Sequence, residues 1–229
     1  SNIAFIDLHP APTDLKRVVQ EGLQRQPRQL PAWLLYDAEG SKLFAAIGIM
    51  QLRDQGKLQL DDPVKKHLSG FNIAVMHPEA HQVTIRHLLT HSSGLPREPV
   101  SAHWVDFDFP SRDEVFDRLG LQQTILPSES FFKYSNLAYS LLGEVIAQKT
   151  KQSFADYVEN NIMAHLGMND SSVVFPEEAK SKLAVGYGRR MPDGTREAFP
   201  FVDAQGMAAA TGVTSSIDDM AKFVLWQLQ

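Results

Sequence analysis

The chain has 229 residues, of which 43% are hydrophobic and 21% charged, with a net charge of −5 and no cysteine. That composition is ordinary for a globular chain with a real core, and it excludes a basic field for nucleic acid or an anionic membrane. Without cysteine there are no disulfides, thiolate zinc sites or cysteine nucleophiles. No apolar run reaches the ~18 residues of a membrane span. No secretory leader is read at Ser1-Asn2, a pair that looks like a scar of tag removal.

In chain order, Thr13 is placed as the cap of a helix with Leu15, Val18, Val19 and Leu23 on one face. Trp33-Leu34-Leu35-Tyr36 reads as a short strand, ended by a turn at Asp37-Ala38-Glu39-Gly40. Ser41 then caps a helix to about Gln55, closed by Gly56. Small and apolar residues from Leu43 to Met50 surround that helix, so it belongs in the middle of a domain. Asp61 and Asp62 lie in a turn. Thr84 caps a short helix through Leu89, and Thr90-His91 lead into the loop Ser92-Ser93-Gly94-Leu95-Pro96. Ser111 and Glu114 form a capping box. Asn136 opens a strong helix carrying Leu137, Leu141, Leu142, Val145 and Ile146. Ser153 and Ser216 cap two more. Residues 171 to 212 are left as short strands or loops. The pattern is mainly α with a little β, in one domain over 1–229.

Four segments resemble one family, in that family's order: Lys42 to Leu52 with Gly56-Lys57-Leu58 and Leu60-Asp61-Asp62-Pro63-Val64; Val83 to Leu95; Tyr134-Ser135-Asn136 with Leu142-Gly143; and Thr211 to Phe223. The family is the penicillin-recognising serine hydrolases: class C β-lactamases, D-Ala-D-Ala carboxypeptidases and related esterases. The similarity is read from about Thr13 to Leu228. It implies an α+β, β-lactamase/transpeptidase-like fold, a helical region plus an antiparallel sheet flanked by helices. Most sheet strands, the C-terminal ones included, have no counterpart in this chain.

The resemblance also implies a chemistry. A serine attacks an amide, β-lactam or ester carbonyl, and water later releases the acyl group. The serine and a lysine stand in Ser-x-x-Lys, where i, i+3 spacing puts both on one helix face. Lys42 matches the lysine, Tyr134 the tyrosine that shares proton transfer, and Asn136 the asparagine that hydrogen-bonds the substrate amide. The serine itself is not found. Position 39 is Glu39, and the nearest serine, Ser41, points about 100° away from Lys42 on a helix. No Lys-Thr-Gly or His-x-Gly follows. With Asp37 to Gly40 taken as a turn, a segment is expected to be missing between Gly40 and Ser41. A chain of this pattern is expected to be unstable, remodelled or dimerised.

Each residue has a plainer alternative. Lys42 could be a surface lysine, but its place at the mouth of an otherwise apolar helix favours function; Tyr134 could be a core tyrosine, a reading only the surrounding family pattern reverses; Asn136 reads as a helix cap, a substrate ligand or both. His87 and His91 have the i, i+4 spacing of a zinc pair but lack a zincin glutamate and a third ligand; the family resemblance implies that they are structural, so no metal is expected. Ser92-Ser93-Gly94 reads as a loop turn, and Glu177-Glu178 and Arg189-Arg190 as solvated surface. Trp104 and Phe107 either line a cleft or pack within their own loop. Two functions are carried: a serine hydrolase acting through an acyl-enzyme, and an inactive relative that binds peptidoglycan-like peptides or a protein partner. Neither needs a cofactor. The implied substrates are β-lactams, peptidoglycan-like peptides or esters; a homo-oligomer is open, and the resemblance suggests a periplasmic or extracellular location.

Overall fold

The computed structural model describes residues 35–36, 38–77 and 79–228. The helix expected after Thr13, Trp33 and Leu34 of the expected strand, and Asp37 of the expected turn lie outside the described residues. The elements begin with β1 (Leu35–Tyr36), α1 (Ala38–Asp54), α2 (Val64–His67) and α3 (Ile85–Leu89). Then come α4 (His103–Asp106), α5 (Arg112–Asp117), α6 (Asn136–Thr150), α7 (Phe154–Val158) and α8 (Ala164–Leu166). The last are α9 (Ala208–Thr211), β2 (Thr214–Ser215) and α10 (Ile217–Gln227).

The expected turn before Ser41 is not formed: Ala38, Glu39 and Gly40 are the first residues of α1. Alanine and glutamate are strong helix formers, and no proline interrupts the run into the apolar stretch. Ser41 is therefore inside the helix and is not its cap. Its hydroxyl is fully buried and accepts from the Val213 N–H at 2.9 Å. At the other end, Lys57 N–H bonds Leu52 O and Gly56 N–H bonds Arg53 O, each at 2.9 Å, with Gly56 at φ 70°. This is a Schellman stop, and its left-handed residue is the predicted glycine.

The expected caps at Thr84, Ser111, Ser153 and Ser216 are all present. The α6 cap is Ser135, which accepts from Ala138 N–H at 3.0 Å, so Asn136 is the first helical residue and not the cap. The strand is not left without a neighbour: β1 pairs antiparallel with β2, Leu35 opposite Ser215 and Tyr36 opposite Thr214. The short helices α2, α4, α8 and α9 were not anticipated, since one turn gives too few residues for a periodic signal.

The core forms where α1, α6 and α9 meet. Phe44, Ile49 and Leu52 of α1 and Leu137, Leu141, Leu142 and Ile146 of α6 are fully buried. Phe44 packs on Phe223 of α10 with ring centroids 4.8 Å apart. Each such aliphatic or aromatic side chain contributes about 1.5–3 kcal/mol on burial. Close approach of α6 to α9 requires Gly143, because a Cβ there would stand 2.6 Å from that of Ala209. Leu43 of α1 and Ile217, Val224 and Trp226 of α10 remain exposed. Among the described residues, no helix is long and apolar enough to cross a membrane.

Candidate active site

Helix α1 carries Lys42 into the interior, where the residue is only 5% exposed. Taking an ammonium out of water costs several kcal/mol unless it is well paired. Here Nζ donates to the Ala210 carbonyl at 2.8 Å, and it lies 5.0 Å from the Tyr134 ring centroid and 5.8 Å from that of Tyr139. Ala210 lies in the last turn of α9, where carbonyls lack intrahelical partners. The aromatic faces add cation–π attraction in a desolvated setting. The Arg97 guanidinium also lies 5.4 Å from the Tyr134 ring centroid. Lys42 and Tyr134 are thus brought together although 92 positions separate them in the chain.

Asn136, at the head of α6, is 3% exposed. Its Nδ2 donates to Glu98 Oε1 at 2.8 Å, and its backbone N–H donates to Arg97 O at 2.7 Å. A carboxylate offers only acceptors, so it fixes which end of the amide it meets: the NH2 faces Glu98 and Oδ1 faces away. Among the described residues that Oδ1 has no hydrogen-bond partner, nor do Glu98 Oε2 and the two ring nitrogens of His103. His103 is fully buried, with Nε2 3.4 Å from Glu98 Oε2. Four of the five orphaned buried side-chain atoms found among the described residues belong to this one cluster. A buried polar atom is costly unless it finds a hydrogen-bond partner, in the protein or in water.

The two histidines of zinc-like spacing are engaged separately. His87 completes a capping box with Thr84: Nδ1 accepts from Thr84 N–H at 3.2 Å, while Nε2 meets Glu129 Oε1 at 2.8 Å. That contact holds the Glu129 carboxyl below the usual range. His91 Nδ1 accepts from Ser135 N–H at 3.1 Å. Burial, and secondarily the Lys42 ammonium, push the His91 imidazole down to about 4. Gly94, at φ 70°, lets the loop after His91 press against Leu126, whose carbonyl oxygen would be 1.9 Å from an added Cβ. Asp62 accepts from Gln59 N–H, Lys66 and His67, and Lys66 above all lowers its carboxyl to about 2. Trp104 packs edge-on to the buried Phe109 at 5.1 Å and Phe107 packs on Phe199 at 5.5 Å. A cavity of about 450 Å³ bordered by Arg112, Phe116, Ser140, Glu144 and Ala209 includes none of Lys42, Tyr134 and Asn136 in its walls.

Glu98, His103 and Arg97 escaped the sequence reading. Arg97-Glu98 directly follows the Gly94-Leu95-Pro96 turn of the second matched segment, and that adjacency was the available signal. Because α1 begins at Ala38, position 39 lies three residues before Lys42 on one continuous helix, and that position is Glu39. Residues at i and i+3 share a helix face.

Lys42 of α1 thus lies buried beside Tyr134, and Asn136 heads α6. The beta-lactamase family model matches residues 40–229, and the chain belongs to that family. A second model, of SAM-dependent histidine-specific methyltransferases, matches residues 15–53 and overlaps the first only over 40–53. The chain is 33% identical over 193 residues to beta-lactamase-like protein 2 of Dictyostelium discoideum, covering 82% of this chain and 34% of that protein. It superposes on the octameric penicillin-binding protein homologue from Pyrococcus abyssi with a TM-score of 0.70 at 32% identity, over 85% of this chain and 45% of that one. On the beta-lactamase/D-alanine carboxypeptidase from Yersinia pestis the TM-score is 0.71 at 27% identity, over 87% and 55%. The fold is thus the β-lactamase/transpeptidase type, and the chain spans about a third to a half of the length of these relatives.

Proposed function

We propose that Lys42, Tyr134 and Asn136 are the proton-transfer and substrate-orienting residues of a serine-hydrolase site acting on an amide, β-lactam or ester carbonyl. The observation that carries this is the buried Lys42 ammonium, tied to Ala210 O and 5.0 Å from the Tyr134 ring. In the complete reaction a serine hydroxyl gives its proton to this pair as its oxygen bonds the carbonyl carbon. The carbonyl then re-forms, the bond to nitrogen or alkoxide oxygen breaks, and the leaving atom takes the proton. Water repeats the sequence on the ester to free the enzyme. The serine belongs at the register of position 39, on the face of α1 that carries Lys42. Ser41 does not fit that role, because its hydroxyl serves Val213.

A second reading has its own support. Glu39 stands at the nucleophile's register, just outside the beta-lactamase match and inside the methyltransferase-like one. On that reading the chain binds peptide or β-lactam without being acylated. The first reading requires a serine three positions before Lys42, supplied by a segment between Gly40 and Ser41 or by replacement of Glu39. The substrate is a β-lactam, a peptidoglycan-like peptide or an ester, in the bacterial envelope. The octameric Pyrococcus homologue supports a homo-oligomer as part of the same proposal.

Intact mass before and after benzylpenicillin separates the two. A mass above 25.6 kDa with a penicilloyl adduct supports the hydrolase and the extra segment; 25.6 kDa without adduct supports the non-acylating binder.

A further inference from the structure

We infer that His91 is a positioning residue for Tyr134, holding the tyrosine through both of its chain neighbours and through its ring. The inference rests on the role proposed for Tyr134. Lys133 N–H donates to His91 O at 2.7 Å and Ser135 N–H donates to His91 Nδ1 at 3.1 Å, so the peptides on either side of Tyr134 end on one residue. The Tyr134 ring lies 4.8 Å from the His91 ring at an interplanar angle of 34°. Tyr139 and Phe132 enclose the same imidazole at 5.1 and 5.6 Å.

The backbone at His91 points the same way. Ser92 N–H bonds His87 O and His91 N–H bonds Leu88 O, a Schellman ending to α3 with His91 in its left-handed position at φ 56°. Glycine is the ordinary occupant of that position. A histidine there strains the backbone, and its imidazole supplies what glycine lacks: an acceptor for Ser135 and a face for Tyr134. Because Nδ1 accepts, the ring is neutral and its proton is on Nε2. Among the described residues, the titratable and charged groups around it are Lys42, Tyr134 and Tyr139, a cation and two phenols with no carboxylate, which favours that neutral form.

The test uses three variants. His91→Asn keeps a side-chain acceptor near Nδ1 and tolerates the left-handed backbone. His91→Phe keeps a ring without an acceptor. His91→Gly relieves the backbone and lacks both, so it remains informative where the phenylalanine fails to fold. Amide hydrogen exchange at Ser135 is expected to be slow in the wild type and in His91→Asn, and roughly tenfold faster in His91→Phe and His91→Gly. Exchange at Lys133, bonded to a backbone carbonyl, is expected to change much less. In a Glu39→Ser background, penicilloylation is expected to slow in the same two variants and to be rescued in His91→Asn. Unchanged Ser135 exchange in His91→Gly, or an asparagine variant behaving like the glycine one, overturns the inference. If Glu39→Ser is never acylated while the exchange pattern holds, the proposed hydrolase function fails and the clamp on Tyr134 stands.

Discussion

The hydroxyl of Ser41 and the backbone N–H of Val213 meet at 2.9 Å, joining the start of α1 to the segment entering β2. Both residues are buried. The contact decides how the serine adjacent to Lys42 in the sequence is used: as a tie between distant parts of the chain, on a face turned from the lysine's. Ser41→Ala is expected to leave a buried N–H without its acceptor and to cost about 1–3 kcal/mol. Urea unfolding measures the loss, and in a Glu39→Ser background the same change should leave penicilloylation intact.

Lys42→Met exchanges a buried ammonium for an apolar chain of similar length. Removing the desolvated charge offsets part of the lost bond to Ala210 O, so stability should change by less than about 2 kcal/mol. Acylation of the Glu39→Ser protein should fall by at least about 100-fold, the scale of a lost proton-transfer group. Stopped-flow acylation with a chromogenic cephalosporin checks it.

Glu98→Ala takes the acceptor from Asn136 Nδ2 in a buried setting, and a thermal melt should report about 1–3 kcal/mol of destabilisation. Glu98→Gln retains a carbonyl oxygen and should cost less, but it no longer dictates which end of the Asn136 amide faces it. Equal losses in the two variants would show that the carboxylate position does not orient Asn136.

Acidification should destabilise the site through His91. Its folded-state pKa of about 4 lies below the ordinary 6.5, so the native state binds fewer protons than the unfolded chain between those values. Stability therefore rises with pH across that window and is lost as pH falls from about 6.5 to about 4. His67, lowered mainly by burial, works in the same direction. Asp62 adds a separate loss at lower pH, from about 3.8 down to about 2. Urea midpoints from pH 7.5 to 4 should fall less steeply for His91→Asn than for the wild type.

Much of this architecture was legible in the sequence because its signals are local. The caps at Thr84, Ser111, Ser153 and Ser216 require only a short polar residue three positions before an available N–H. Lys42, Tyr134 and Asn136 were found by motif order, and the fold brings Lys42 and Tyr134 together. The helical path of Ala38 to Gly40 was missed because Asp-Ala-Glu-Gly has turn chemistry, while Ala and Glu also propagate helix when an apolar run follows. The Glu98–Asn136–His103 cluster could not be read from spacing, since it depends on where a loop folds back over a helix end. His91 was seen and judged structural; its tie to Ser135 exists only in three dimensions.

The most direct test of the account is the intact mass of Glu39→Ser after exposure to benzylpenicillin, compared with the unmodified chain and with Glu39→Ser combined with Lys42→Met. The account predicts a covalent penicilloyl adduct on Glu39→Ser, mapping by peptide digestion to position 39, and little or none when Lys42 is also replaced. A folded Glu39→Ser protein that takes up no penicillin would contradict the claim that Lys42, Tyr134 and Asn136 form the acyl-transfer site.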